Sequence, residues 1–101
     1  MAGYQPETAQ DGKQTLERLP VLLPSLLMLD LQLPDMSGID VIQRMRQDER
    51  LKHIKVIVIT ADLPRVAEAR IHADAVLVKP VDYAHILETI ETVMKSSAGE
   101  N

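Results

Sequence analysis

Three short runs of consecutive apolar residues divide the chain, and a polar stretch and then a segment with helical periodicity follow each of them. The runs cover residues 26–29, 56–59 and 75–78. They are continuous rather than alternating, which is typical of strands covered on both faces in a parallel sheet. The pattern therefore predicts an open parallel sheet with helices on both sides.

The segments after the three runs carry the signals of helices. Ser37 precedes a predicted helix from about residue 38 to 48. Asp62 is expected to cap a short helix that has Pro64 in its first turn, where a missing N–H costs little. Asp82 is expected to cap the last helix, which has the clearest apolar face in the chain.

The first 25 residues give weaker signals. They favour a helix over about residues 10–19, preceded by a strand over 4–8 that Pro6 would confine to a sheet edge. Pro20 and Pro24 predict a connector between this helix and the first apolar run. The element order then predicts an α/β fold with right-handed crossovers.

Composition narrows the class of protein. The chain has 101 residues, no cysteine, only two aromatic residues and a net charge of -4. A single domain with an aliphatic core is expected, without disulfides or thiol chemistry. The negative charge disfavours nucleic-acid binding, and no signal pattern or membrane span is evident. A cytoplasmic location without membrane contact is the expectation.

Polar residues stand where the three runs end. They are Asp30, Thr60 and Lys79. Ligands of open parallel sheets bind outside the carboxyl ends of the strands, so these side chains should converge. Singly they have ordinary structural interpretations, as a turn residue, a strand former and a solvated cation. Together, a carboxylate, a hydroxyl and an ammonium favour phosphoryl transfer.

The segments around these residues resemble the receiver domains of two-component response regulators. They read LLMLDLQLPDMSG at 26–38, VITA at 58–61 and LVKP at 77–80. The resemblance implies a flavodoxin-like, CheY-like fold and a signalling domain rather than an enzyme. By this resemblance Asp30 is the phosphoacceptor, Thr60 the switch hydroxyl and Lys79 the phosphate-pairing lysine, with a cis bond to Pro80.

The resemblance also implies partners, a cofactor and the bounds of the domain. A histidine kinase or histidine phosphotransfer protein would donate the phosphoryl group, aided by Mg²⁺. The Asp30 carboxylate and the backbone carbonyl of Gln32 are the implied metal ligands, because the usual acidic pair has no counterpart in the chain. The expected receiver domain covers residues 1–95 and is truncated at its N-terminus, and residues 96–101 would form a flexible tail.

The family strand that carries the acidic pair would lie beside the strand that ends at Asp30. Without it, we expect that strand to be an exposed edge. Three outcomes stay open: a truncated chain, a homodimer through this edge, or movement of the segment at 4–8 into the vacant place. The last would bring Glu7 or Asp11 near Asp30, but Pro6 disfavours it.

The sequence also allows two rival functions and two interpretations of one basic segment. A pseudo-receiver that cannot be phosphorylated would act as a dimerisation or docking module. A hydrolase with an Asp nucleophile is disfavoured, because Gln32 stands where its second acid would be. The basic residues between 44 and 55 are most simply a solvated helix end, and contact with an acidic partner is the alternative.

Overall fold

The computed structural model describes residues 7–8 and 10–98, which form a four-stranded parallel sheet in the order β1-β2-β3-β4. Its elements are β1 Glu7–Thr8, α1 Gly12–Leu22, β2 Leu26–Leu29, α2 Gly38–Gln47, β3 Lys55–Thr60, a 3₁₀ turn Leu63–Arg65, α3 Val66–His72, β4 Ala75–Val78 and α4 Tyr83–Ala98. The three strands predicted from the apolar runs are confirmed, with β3 longer by one residue at each end. Within the described residues, no helix has the length and apolar character needed to cross a membrane.

The central strand β3 shows why the apolar runs are continuous. Val56, Ile57 and Val58 are all fully buried, although successive side chains point to opposite faces. Val56 and Val58 pack in a cluster with residues of α1, α2 and α3, whereas Ile57 packs in a second cluster with residues of α4. Burying one such side chain stabilises the fold by about 1.5–3 kcal/mol. Helices cover both faces, as predicted.

The expectation that β2 forms an open edge is wrong. Glu7 pairs with Leu27 and Thr8 pairs with Met28, so β1 lies beside β2, which is the outcome that Pro6 was expected to disfavour. Both described pairs involve residues that follow Pro6, so the missing N–H of proline does not oppose them. Pro6 and the other residues before Glu7 in the predicted strand lie outside the described residues.

Helix α1 also differs from the prediction. It begins after Asp11, whose side chain caps it, and it continues through Pro20 to Leu22. Pro20 lies in the last turn, where it removes one backbone hydrogen bond without ending the helix. The chain turns only at Leu23, which has a left-handed backbone (φ 43°) and donates its N–H to the Leu19 carbonyl at 2.8 Å.

The predicted cap of the last helix is confirmed, and the helix is longer than predicted. The Asp82 carboxylate accepts a hydrogen bond of 2.8 Å from the backbone N–H of His85, as the sequence predicted. Helix α4 then runs to Ala98, so it includes the first three residues of the expected tail at 96–101. Residues 99–101 lie outside the described part of the chain.

An arginine and an aspartate fasten the amino end of β3. Arg46 donates to the Ile54 carbonyl at 2.8 Å and to Asp74 Oδ2 at 3.1 Å. The same carboxylate oxygen accepts from the Val56 N–H at 2.8 Å. These contacts join α2, β3 and the loop before β4 at the edge opposite Asp30.

Candidate functional site

The three predicted site residues meet at the carboxyl edge of the sheet. Asp30 directly follows β2, Thr60 ends β3 and Lys79 directly follows β4. The Lys79 Nζ atom lies 2.9 Å from Asp30 Oδ2, and the Lys79 N–H donates to the Thr60 carbonyl at 2.9 Å. Thr60 is fully buried, whereas the side chains of Asp30 and Lys79 are 30% and 50% exposed. The Lys79–Pro80 bond is cis, as expected.

The Asp30 carboxylate is held in its charged form. Burial raises its pKa, but the backbone N–H of Gln32 and the Lys79 ammonium lower it more, so the net pKa lies below its ordinary value. The Gln32 N–H donates to Oδ1 at 2.9 Å while Lys79 binds Oδ2. Hydrogen bonds to the charged form favour it. At neutral pH this group is therefore an ionised carboxylate that water can reach.

The Thr60 hydroxyl lies in the same site. Its oxygen accepts a hydrogen bond of 3.0 Å from the Asp62 N–H, which leaves the hydroxyl proton free to donate. The hydroxyl also contributes a smaller lowering of the Asp30 pKa. The predicted cap by Asp62 is wrong, since its carboxylate makes no capping bond and lies 3.8 Å from Arg65 Nε.

The loop after Asp30 is tied closely to α2. Gly38 donates its N–H to the Leu31 carbonyl at 2.9 Å, and a Cβ atom at Gly38 would lie 2.6 Å from the Asp30 carbonyl oxygen. Only glycine permits this approach. Ser37 caps α2, and Arg65 donates to the Ser37 hydroxyl at 2.7 Å. This arginine therefore links the loop after Thr60 to the loop after Asp30.

Asp35 has a structural role that the sequence interpretation missed. Its two carboxylate oxygens accept from the backbone N–H groups of Gly12 and Lys13 at 2.7 and 2.8 Å. The Lys13 N–H and then the Gly12 N–H lower the Asp35 pKa below its ordinary value. The sequence carried one signal for this role: the first turn of α1 has no acidic residue of its own, so an acidic side chain from another segment can bind its N–H groups. Asp35 thus joins the acceptor loop to α1.

The described residues do not by themselves complete a magnesium site. The ligands that the resemblance implies are the Asp30 carboxylate and the Gln32 carbonyl, and both Asp30 oxygens already accept hydrogen bonds. Across residues 7–8 and 10–98, no three histidine, cysteine or acidic residues group as a metal site would need. Asp11 is used as the cap of α1 instead. Mg²⁺ prefers six oxygen ligands, so most would have to be water.

The comparisons with known proteins agree with this arrangement. The sequence profile of the response regulator receiver domain matches residues 1–91. The polar-differentiation response regulator DivK of Brucella ovis is 32% identical over 96 residues, which are 92% of this chain and 78% of that protein. A CheY-like receiver domain protein from Methanospirillum hungatei superposes with a TM-score of 0.82 at 25% identity, over 98% of this chain and 80% of that one.

A second solved structure, a CheY-like receiver domain from Methylobacillus flagellatus, has a TM-score of 0.78 over 90% of this chain and 78% of its own. At 24% identity it supports the fold alone. A parallel sheet with a carboxylate, a hydroxyl and a lysine at one edge defines a receiver-type signalling domain. The chain belongs to the response regulator receiver domain family of two-component systems.

Receiver domains of this family take part in phosphoryl signalling with histidine kinases or phosphotransfer proteins, and they generally bind Mg²⁺. The flavodoxin-like fold and the family expected from the sequence are confirmed. The roles of Asp30, Thr60 and Lys79 in this chain stay predictions.

Proposed function

We propose that Asp30 accepts a phosphoryl group from the phosphohistidine of a partner histidine kinase or phosphotransfer protein. The observation that carries the proposal is an ionised, water-accessible carboxylate with a lysine ammonium 2.9 Å away. A carboxylate oxygen attacks phosphorus and forms the new P–O bond. The P–N bond breaks, and its electron pair returns to the imidazole nitrogen of the donor.

Lys79 and Thr60 are suited to stabilise the transferred group. The ammonium that now binds Asp30 Oδ2 would pair with the added negative charge, since phosphorylation increases the charge at this edge. The Thr60 hydroxyl, which is free to donate, would bind a phosphoryl oxygen. Hydrogen bonds to charged groups contribute about 1.5–3 kcal/mol each.

The same contacts give a route from Asp30 to the surface. Movement of the Thr60 side chain would disturb its bond to the Asp62 N–H, which begins the loop that ends at Arg65. Arg65 in turn holds Ser37 at the start of α2. We propose that the charge on Asp30 shifts the balance between two arrangements of this surface.

Magnesium is expected from the family, and this chain would contribute the Asp30 carboxylate and the Gln32 carbonyl as ligands. Because the described residues supply so few ligands, the proposed transfer steps assign no role to the metal. The phosphorylation experiment is therefore done both with and without Mg²⁺.

The proposal is tested by incubating the protein with acetyl phosphate, with and without Mg²⁺, and measuring the intact mass. We expect the wild type to gain one phosphoryl group and Asp30→Asn to gain none. Asp40→Asn, which removes an exposed carboxylate from α2, is the matched control and should behave as the wild type. Absence of an adduct on folded wild-type protein would refute the proposal.

A docking role without phosphorylation is the second candidate, and the small number of metal ligands among residues 7–8 and 10–98 favours it. This role predicts no adduct under any condition. It also predicts that a histidine phosphotransfer domain binds wild type and Asp30→Asn with equal affinity. An adduct on the wild type would exclude it.

A further inference from the structure

A cavity of about 330 Å³ opens at the edge of the sheet opposite Asp30. It lies at the amino ends of β2 and β3, and we call it the amino-end pocket. Its apolar lining includes Leu23, Ile54 and Met94, and its basic lining consists of Arg50, His53 and Lys55. No acidic residue of the described part of the chain lines it, and Asp48 and Asp74 beside it pair with Arg50 and Lys55.

The cations of the amino-end pocket retain hydrogen-bonding capacity. The side chain of Lys55 is only 20% exposed, and its ammonium lies 3.8 Å from Asp74 Oδ1, beyond hydrogen-bond distance. The other Asp74 oxygen is occupied by Arg46 and Val56. Asp74 therefore supplies a counter-charge for Lys55 without accepting a hydrogen bond from it. A ligand carboxylate in the pocket would accept the hydrogen bonds that the ammonium can still donate.

Arg50 also keeps a hydrogen-bond donor available to a ligand. Its Nε and Nη2 atoms bind the Asp48 carboxylate at 3.1 and 2.8 Å, and Nη1 makes no hydrogen bond to the described part of the chain. His53 is an exposed residue of the same lining. Donors of this kind, in a pocket that no described acidic residue lines, fit a negatively charged group.

The rim of the pocket is strained and apolar. Leu23 has a left-handed backbone, which is unfavourable for a leucine, and its side chain is 55% exposed. Pro24 lies next to it in the lining of the pocket. Backbone strain of this kind clusters at functional sites, and exposed apolar side chains beside a pocket mark surfaces that contact a partner.

We propose that the amino-end pocket binds a peptide segment of a partner protein in which an acidic side chain stands next to aliphatic ones. The carboxylate meets the basic lining, and the aliphatic side chains cover Leu23 and its neighbours. The chain's negative net charge opposes nucleic acid as the occupant. This site does not depend on phosphorylation, because Asp30 lies at the other end of the strands.

The test uses the ¹⁵N-labelled 101-residue chain and a short peptide of alternating glutamate and leucine. We expect chemical-shift changes confined to the amino-end pocket and weaker binding at high salt. A matched peptide with glutamine in place of glutamate should bind roughly tenfold more weakly. Shifts at the Asp30 edge, or equal binding of both peptides, would overturn the proposal.

Variants locate the site. Arg50→Gln and His53→Gln should each weaken peptide binding severalfold, whereas Arg44→Gln, an exposed cation of α2 outside the pocket, should not. Equal losses in all three variants would overturn the assignment. Asp30→Asn should bind the peptide normally, so failure of the phosphorylation proposal would leave this result unchanged.

Leu23→Gly separates binding from folding. Glycine adopts the left-handed backbone without strain, so the variant should be at least as stable as the wild type. It should nevertheless bind the peptide more weakly, because the aliphatic rim contact is lost. Undiminished binding would contradict the proposal, and so would displacement of the peptide by a short single-stranded DNA.

Discussion

The Lys79 ammonium lies 2.9 Å from Asp30 Oδ2 and joins two residues that are 49 positions apart in the sequence. They follow β2 and β4, which do not touch each other because β3 lies between them. The contact therefore forms only when all three strands are in register. It makes Asp30 both part of the folded structure and the proposed point of reaction.

Replacing this lysine should change the acidity of its partner. In Lys79→Met, we expect the pKa of Asp30 to rise, because burial still raises it and only the Gln32 N–H is left as a major lowering contact. The measurement is a ¹³C NMR titration of the Asp30 carboxyl group. Lys95→Met removes an exposed lysine of α4 and should leave the titration unchanged. An unaltered Asp30 pKa in Lys79→Met would be incompatible with the contact.

The close approach at Gly38 makes a prediction about stability. Gly38→Ala places a Cβ atom 2.6 Å from the Asp30 carbonyl oxygen, and the backbone must move to admit it. We expect a loss of about 1–3 kcal/mol in the free energy of unfolding, measured with urea. Gly12→Ala is the matched comparison, because its new Cβ meets mainly the flexible Met36 side chain. A larger loss for Gly12→Ala would disprove this explanation.

Asp35 should make stability depend on pH. Its pKa is lowered in the folded state, so its contribution is present above the ordinary value of 3.8 and is lost as the pH falls through the lowered value. Asp35→Asn should therefore melt at a lower temperature than the wild type at neutral pH. The difference in melting temperature between the variant and the wild type should become smaller as the pH falls below 3.8.

The control for this prediction is Asp40→Asn, which removes an exposed carboxylate that is not hydrogen-bonded to α1. Thermal unfolding followed by circular dichroism at several pH values measures both variants. If the difference between Asp35→Asn and wild type stayed constant down to the lowest pH, the carboxylate would not be the stabilising group.

The small number of metal ligands predicts weak magnesium binding. With one carboxylate and one carbonyl from the described residues, we expect a dissociation constant above roughly 1 mM. A titration with MgCl₂ followed by NMR should move the signals of Asp30 and Gln32 first. Micromolar affinity would contradict the ligand set given above.

Much of the fold could be predicted because its signals are local. The continuous apolar run at residues 26–29 is by itself enough to predict a strand that is covered on both faces. Asp82 lies three residues before the N–H that it caps, so the cap is readable from the sequence alone. The convergence of Asp30, Thr60 and Lys79 follows from their positions at the ends of parallel strands.

Other features depend on contacts between distant segments. The described part of β1 has two residues, and its place beside β2 depends on register rather than on any apolar pattern. The bonds from Asp35 to the start of α1 join residues 22 and 23 positions apart. The left-handed backbone of Leu23 would be expected of glycine or asparagine. No local rule predicts these features.

The most direct test of the account is to locate the phosphoryl group on the protein. After reaction with acetyl phosphate, borohydride reduces an aspartyl phosphate to homoserine, which tandem mass spectrometry places in the sequence. We predict homoserine at position 30 alone, and less of it in Lys79→Met. Homoserine at Asp35 or another aspartate, with Asp30 unmodified, would contradict the assignment of Asp30 as the acceptor.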